Sequence, residues 1–170
     1  EQILYRTDGV PLFLEELTKS VLESKLVRLD NDRYVLDAPL PAPAIPATLR
    51  DSLLARLDQL APIREIAQVG ACIGREFSYA LLAAVAPVQG EKLDEALAQL
   101  TSSGLMFRRG TPPEATYIFK HALVQDAAYE SLLKSRRRLL HAQVAAGLSE
   151  RFPKVADEHP ELLAYHHEAA

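Results

Sequence analysis

The sequence predicts a mainly α protein carrying two short antiparallel strand pairs. Three observations point there. Apolar residues recur at three- and four-residue steps along most of the chain, as in Val10, Leu14, Leu17 and Val21, which gives a helix one oily face. Helical stretches are punctuated by Gly74, Pro87 and Gly104, residue types that end helices. Two runs late in the chain, "LMFRR" and "TYIFK", are short and strand-like, and the "GTPPEA" between them suits an exposed loop joining paired strands.

Taken in order, "DGVPLFLEELTKSVLES" reads as a helix with Pro11 near its start, where a missing N–H costs nothing. "KLVRLDNDRYVLD" follows as a hairpin turning at Asp30, Asn31 and Asp32. Pro39, Pro41, Pro43 and Pro46 then crowd into "APLPAPAIPA", a stiff extended connection that places a domain boundary at residues 39–47. Thr48 with Asp51 three residues on marks a helix start, and Leu49, Leu53, Leu57 and Leu60 line one face.

Three further helices come next: "PIREIAQVGACIG", "SYALLAAVA" and "EKLDEALAQLTSSG", the last carrying Leu93, Ala96, Leu97 and Leu100 on its inner side. With the two strands after them, the order is that of a winged helix. The predicted division is therefore 1–38 as a helix with its hairpin, 39–47 as linker, 48–133 as a winged-helix domain, and 134–170 as a helical extension.

Composition bounds the function. At 170 residues and 48% apolar, the chain can bury a core. A net charge of −4 opposes any whole-surface attraction to nucleic acid or anionic lipid. The single cysteine, Cys72, excludes an internal disulfide, and no apolar run approaches the roughly 20 residues of a membrane span, so a cytoplasmic setting without membrane contact is expected. Glu1 is not a start residue and "ELLAYHHEAA" reads as a helix cut short, so the chain is expected to be a piece of something larger.

Winged helices commonly read DNA with their third helix. Here that helix would present Glu91, Asp94 and Glu95 against Lys92, which phosphates would repel, so DNA is not the expected partner. Arg108 and Arg109 in the wing read as a solvated strand end. The strongly basic run "KSRRRLLHAQ" puts Lys134, Arg136, Arg137, Arg138 and His141 close together. Its plain reading is the wet side of a helix whose other face is Leu140, Val144 and Leu148; the sharper one is a surface for an acidic partner or phosphate.

Enzymatic signals are missing. No glycine precedes Lys-Ser or Lys-Thr as in a phosphate-binding P-loop, and no acidic cluster follows an apolar strand to hold magnesium. No catalytic residue and no metal ligand is predicted. His159, His166 and His167 lack metal spacing and read as polar surface, and Cys72 reads as packing.

"TDGVPLFLEELTKSVLES", "IPATLRDSLLARLDQLAP", "IGREFSYALLAAVA", "FRRGTPPEATYIFKHALVQDAAYESLL" and "PELLAYHHEAA" together resemble the section that follows the nucleotide-binding core in bacterial STAND signal-transduction ATPases, relatives of the AAA ATPases. The resemblance is to members found with class III adenylate/guanylate cyclase domains and tetratricopeptide repeats, and it covers almost the whole chain. It implies a lid remnant, then a winged helix, then the first helices of a tetratricopeptide-like array, which needs about three repeats for stability. It also implies a regulatory, non-catalytic fragment that relays ADP or ATP state from a P-loop core of the same chain to a downstream repeat or effector domain. No cofactor is implied within the fragment itself; ADP or ATP with magnesium would belong to the full-length protein.

The same resemblance puts Pro11 of "GVP" at the lid proline near the nucleotide base, and His121 of "KHALVQDAAY" at the histidine that reaches the ADP β-phosphate in the resting state. Ala122 departs from the family pattern, which has Asp there; Asp126 stands one helical turn further on. The alternatives are a turn histidine satisfied by a backbone carbonyl, a DNA-binding winged helix of a transcriptional regulator, or a protein-interaction scaffold.

Overall fold

The structure, a computed structural model, describes residues 11–23, 27–30, 33–36 and 48–170, and falls into two compact units, one ending at Gln59 and the other running from Leu60 to Ala170. The protein is mainly α, as its periodicity predicts.

In the first unit, α1 (Pro11–Glu23) begins at the proline and packs with α2 (Leu49–Gln59). Phe13 is buried on α1, and Leu53 and Leu57 on α2. Thr48 caps α2 as its sequence predicts: its Oγ1 accepts from the Asp51 amide at 3.1 Å, satisfying an N–H that the helix itself cannot. The hairpin is present as β1 (Val27–Asp30) and β2 (Arg33–Leu36), antiparallel, with Val27 opposite Leu36 and Asp30 opposite Arg33. Its turn and the proline-rich stretch lie outside the described residues.

The division between units falls after α2 and not at the prolines. Residues 48–59 were expected to open the second module; α2 falls in unit one, in which it packs on α1. Residues 134–170 likewise form no separate body.

The second unit is built on α3 (Ala61–Ile73), β3 (Glu76–Ser78), α4 (Tyr79–Val85), α5 (Glu91–Ser102), β4 (Met106–Arg109) and β5 (Thr116–Phe119). Sequence reading found all of these except β3, so the expected two-stranded wing is a three-stranded antiparallel sheet in the order β3-β5-β4. Three residues are too few for alternation to register; Glu76 to Ser78 become a strand because β5 offers Ile118 and Thr116 as partners. The sheet buries Phe77, Met106, Tyr117 and Phe119 on one face, against Leu82, Leu93, Leu97 and Leu100 of the helices, each worth roughly 2 kcal/mol in transfer terms. Phe77 stacks on Tyr117 at 6.1 Å and meets Phe119 edge-on at 6.0 Å.

Two local features make the connections. Ser78 caps α4, its Oγ accepting from the Leu81 amide at 3.2 Å. Gly104, at φ 72°, ends α5: its amide bonds Thr101 O and the Leu105 amide bonds Leu100 O, and the reversal feeds straight into β4.

Beyond the sheet lie α6 (Ala122–Glu130), α7 (Lys134–Arg151), α8 (Pro153–Glu158) and α9 (Pro160–Ala169). α6 packs on α3, where Gln125 Nε2 donates to Ala71 O at 3.3 Å and Gln68 Nε2 to Ser131 Oγ at 2.8 Å. α7 packs on α3, α4 and α9, so the extension shares the core of the unit before it.

Candidate functional site

His121 occupies the junction between β5 and α6. The strand ends at Phe119, whose side chain is buried, and the helix begins at Ala122, so chain direction places His121 at the N-cap with extended backbone angles of −131° and 144°. Its carbonyl accepts from the Val124 amide at 3.1 Å, but its side chain makes no capping bond. The residue is half-buried, and Nε2 is closed off from solvent without a hydrogen-bond partner. The backbone-satisfied turn histidine that the sequence allows is therefore not what forms. Leaving such an atom unmatched costs about 1–3 kcal/mol.

Around that ring, the first turn of α6 carries unpaired N–H groups and a partial positive charge, a setting suited to an anion. Ala122 is exposed and supplies no carboxylate, and Asp126 is exposed one turn on. Pro11, the other predicted contact, is the exposed first residue of α1 in the first unit.

The basic run divides. Lys134 and Arg138 are exposed. Arg136 Nη2 pairs with Glu65 Oε1 of α3 at 2.8 Å. Arg137 closes the end of α6: Nε donates to Leu132 O at 3.0 Å, Nη2 to Glu130 O at 3.1 Å, and its guanidinium lies 4.8 Å from the centre of the Tyr129 ring. Two of the four predicted surface cations thus tie helices together.

No family model matches the chain. Over 163 residues, 95% of its length, the chain is 31% identical to an uncharacterized protein of Rhizobium meliloti (strain 1021). It spans only 15% of that relative.

Sequence reading missed a second site. His166, expected at the surface, has no solvent exposure, and neither has His141; their Nδ1 atoms stand 2.8 Å apart. Tyr129 Oη lies 3.1 Å from His141 Nε2, and the Tyr165 ring meets both imidazoles edge-on at 5.5 and 5.2 Å. Burial pushes both histidines down, His166 to about 4 with help from His141 and His167. The signal was there: His141 shares its face of α7 with Val144, Ala145 and Leu148, and His166 follows Leu162 and Leu163 at helical spacing. His159 and His167 are exposed as expected, His159 bonding Glu161 at 3.2 Å.

Cys72 is buried, and that burial pushes its thiol up to about 11, in keeping with a packing role. Among the described residues no group of histidines, cysteines and carboxylates forms a metal cluster, and no helix is long and apolar enough to cross a membrane.

Proposed function

We propose that this chain is a regulatory, non-catalytic part of a nucleotide-switched signalling ATPase. A lid remnant and a winged helix relay the ADP or ATP state of a P-loop core elsewhere in the same protein to an output domain. The observation that carries this reading is His121: an imidazole at an uncapped helix start, held by no hydrogen bond within its own unit. An ADP phosphate fits the donor chemistry of that junction, where a helix start offers backbone amides next to an imidazole in sequence and no carboxylate stands at Ala122 to repel it. The inward Nε2 requires the ring to turn, or to use its other nitrogen, when it meets the nucleotide. Switching follows from differential contact with the two nucleotides.

The order of helices and strands in the second unit, and the pairing β3-β5-β4, support the winged-helix assignment. They equally favour a second reading, a DNA-binding regulator. Against it, Glu91, Asp94 and Glu95 are all exposed on α5, the helix that would enter the groove.

The test uses the full-length parent protein. A P-loop and an acidic magnesium-binding strand are expected upstream of this segment, and His121→Ala is expected to weaken ADP retention roughly tenfold while ATP binding changes less. A parent without a nucleotide-binding core, or unchanged ADP retention in the variant, overturns the proposal and leaves a scaffold. Salt-sensitive duplex binding by this chain would favour the DNA reading instead.

A further inference from the structure

The geometry points to a proton-operated latch: His141 and His166 hold α9 on α7 while one proton is shared between their facing Nδ1 atoms, and charging both rings breaks that contact. This inference is independent of the nucleotide reading.

The argument starts from counting protons. Two Nδ1 atoms at 2.8 Å are at hydrogen-bond distance, so one must carry hydrogen and the other must offer its lone pair. If His141 donates, its Nε2 accepts from Tyr129 Oη, and the proton on His166 Nε2 has no acceptor. If His166 donates, His141 gives its Nε2 proton to the tyrosine oxygen, and His166 Nε2 is left with a buried lone pair. Both arrangements keep each ring neutral and the contact intact. A further proton can settle on the free Nε2, that of His141 in the first arrangement or of His166 in the second, and leaves one charged ring with the Nδ1 bond in place. Once both rings are charged, each Nδ1 carries hydrogen, two N–H groups point at one another across 2.8 Å, and the contact is lost.

What surrounds the pair does not offset that charge. Tyr129 comes from α6, Tyr165 and His167 from α9, Cys72 from α3, and Arg137 from α7. Tyr79 of α4 interacts with Asp94 instead, while Lys154, Asp157 and Glu158 of α8 are exposed. No carboxylate counts among the groups acting on either ring. The charged pair therefore has no buried counter-charge, and outward movement of α9 would bring it to solvent. α9 is held by fewer helices: it packs on α7 and α8 and reaches α6 through Tyr165 and Tyr129, whereas α7 packs on α3, α4 and α8 as well. Opening would expose the apolar sides of Leu162, Leu163 and Val144 together with the two imidazoles.

The experiment is amide hydrogen exchange on the 170-residue chain at about pH 7 and about pH 4.5, corrected for intrinsic rates, with the α3 amides as internal reference. Protection across α9 is expected to fall roughly tenfold or more relative to α3 on acidification. His166→Phe, planar and non-titrating, is expected to keep α9 protected and abolish the difference. Equal pH response of α9 and α3 in the wild type, or an unaltered response in a folded His166→Phe, overturns the latch. Should that variant not fold, ring-nitrogen NMR shifts of the wild type decide. Loss of α9 protection that accompanies charging of the second ring sustains it, and charging of both rings without loss of protection sinks it.

Discussion

The Nδ1 atoms of His141 and His166 meet at 2.8 Å in a site with no solvent exposure, joining two helices through a contact that tolerates a single proton. In the unfolded chain each imidazole titrates near its ordinary 6.5, while in the fold both are pushed below it by burial, His166 to about 4. Between those values the unfolded state binds more protons than the native one. Stability is thus fully present above about pH 6.5 and declines as pH falls toward 4, by up to about 1.4 kcal/mol per pH unit for each proton taken up. Urea midpoints measured across that window check the slope, and a flat profile would contradict it.

Gly70→Ala should destabilise the second unit. A Cβ there would come within 2.7 Å of Phe77 Cζ, and Phe77 cannot swing away because Tyr117 and Phe119 pack on its ring. Overpacking of this kind costs about 1–3 kcal/mol, and the helix propensity gained by alanine returns only about 1. Thermal unfolding is expected to show a lower midpoint.

Ser78→Ala removes the acceptor for the Leu81 amide and should cost about 1 kcal/mol, since α4 has only seven residues over which to recover it. Ser78→Asp should restore most of the loss. Chemical denaturation of the pair of variants provides the comparison.

Adjacent arginines should differ. Arg136→Ala loses a partly exposed ion pair with Glu65, worth under about 1 kcal/mol and screened by salt. Arg137→Ala uncovers the Glu130 and Leu132 carbonyls and the Tyr129 ring together, and should cost about 2 kcal/mol with little salt dependence. Denaturation at low and high salt separates them.

Cys72 should resist alkylation in the native chain at neutral pH, because burial keeps the thiol protonated up to about 11 and shielded from reagent. Labelling should proceed readily in denaturant. Rapid native modification would mean that the α3 surface opens.

Periodicity alone determined the mainly α class, the bounds of α3, α4 and α5, and the strand pair β4 and β5, since an amphipathic repeat records which side of a segment must leave water. The residues at helix ends were equally legible: Thr48 caps and Gly104 stops because those roles depend on nearby backbone groups. His121 stands at the head of α6, and the closure of its Nε2 from solvent depends on packing.

Tertiary structure decided the rest. β3 exists because β5 lies beside it, and α2 joins the first unit because it packs on α1. The pairing of His141 with His166 spans 25 residues, and nothing in either helix alone names its partner. Spacing can say that a histidine faces inward, but only the docking of α9 on α7 determines that the group waiting there is a second imidazole, and hence that one proton must serve both.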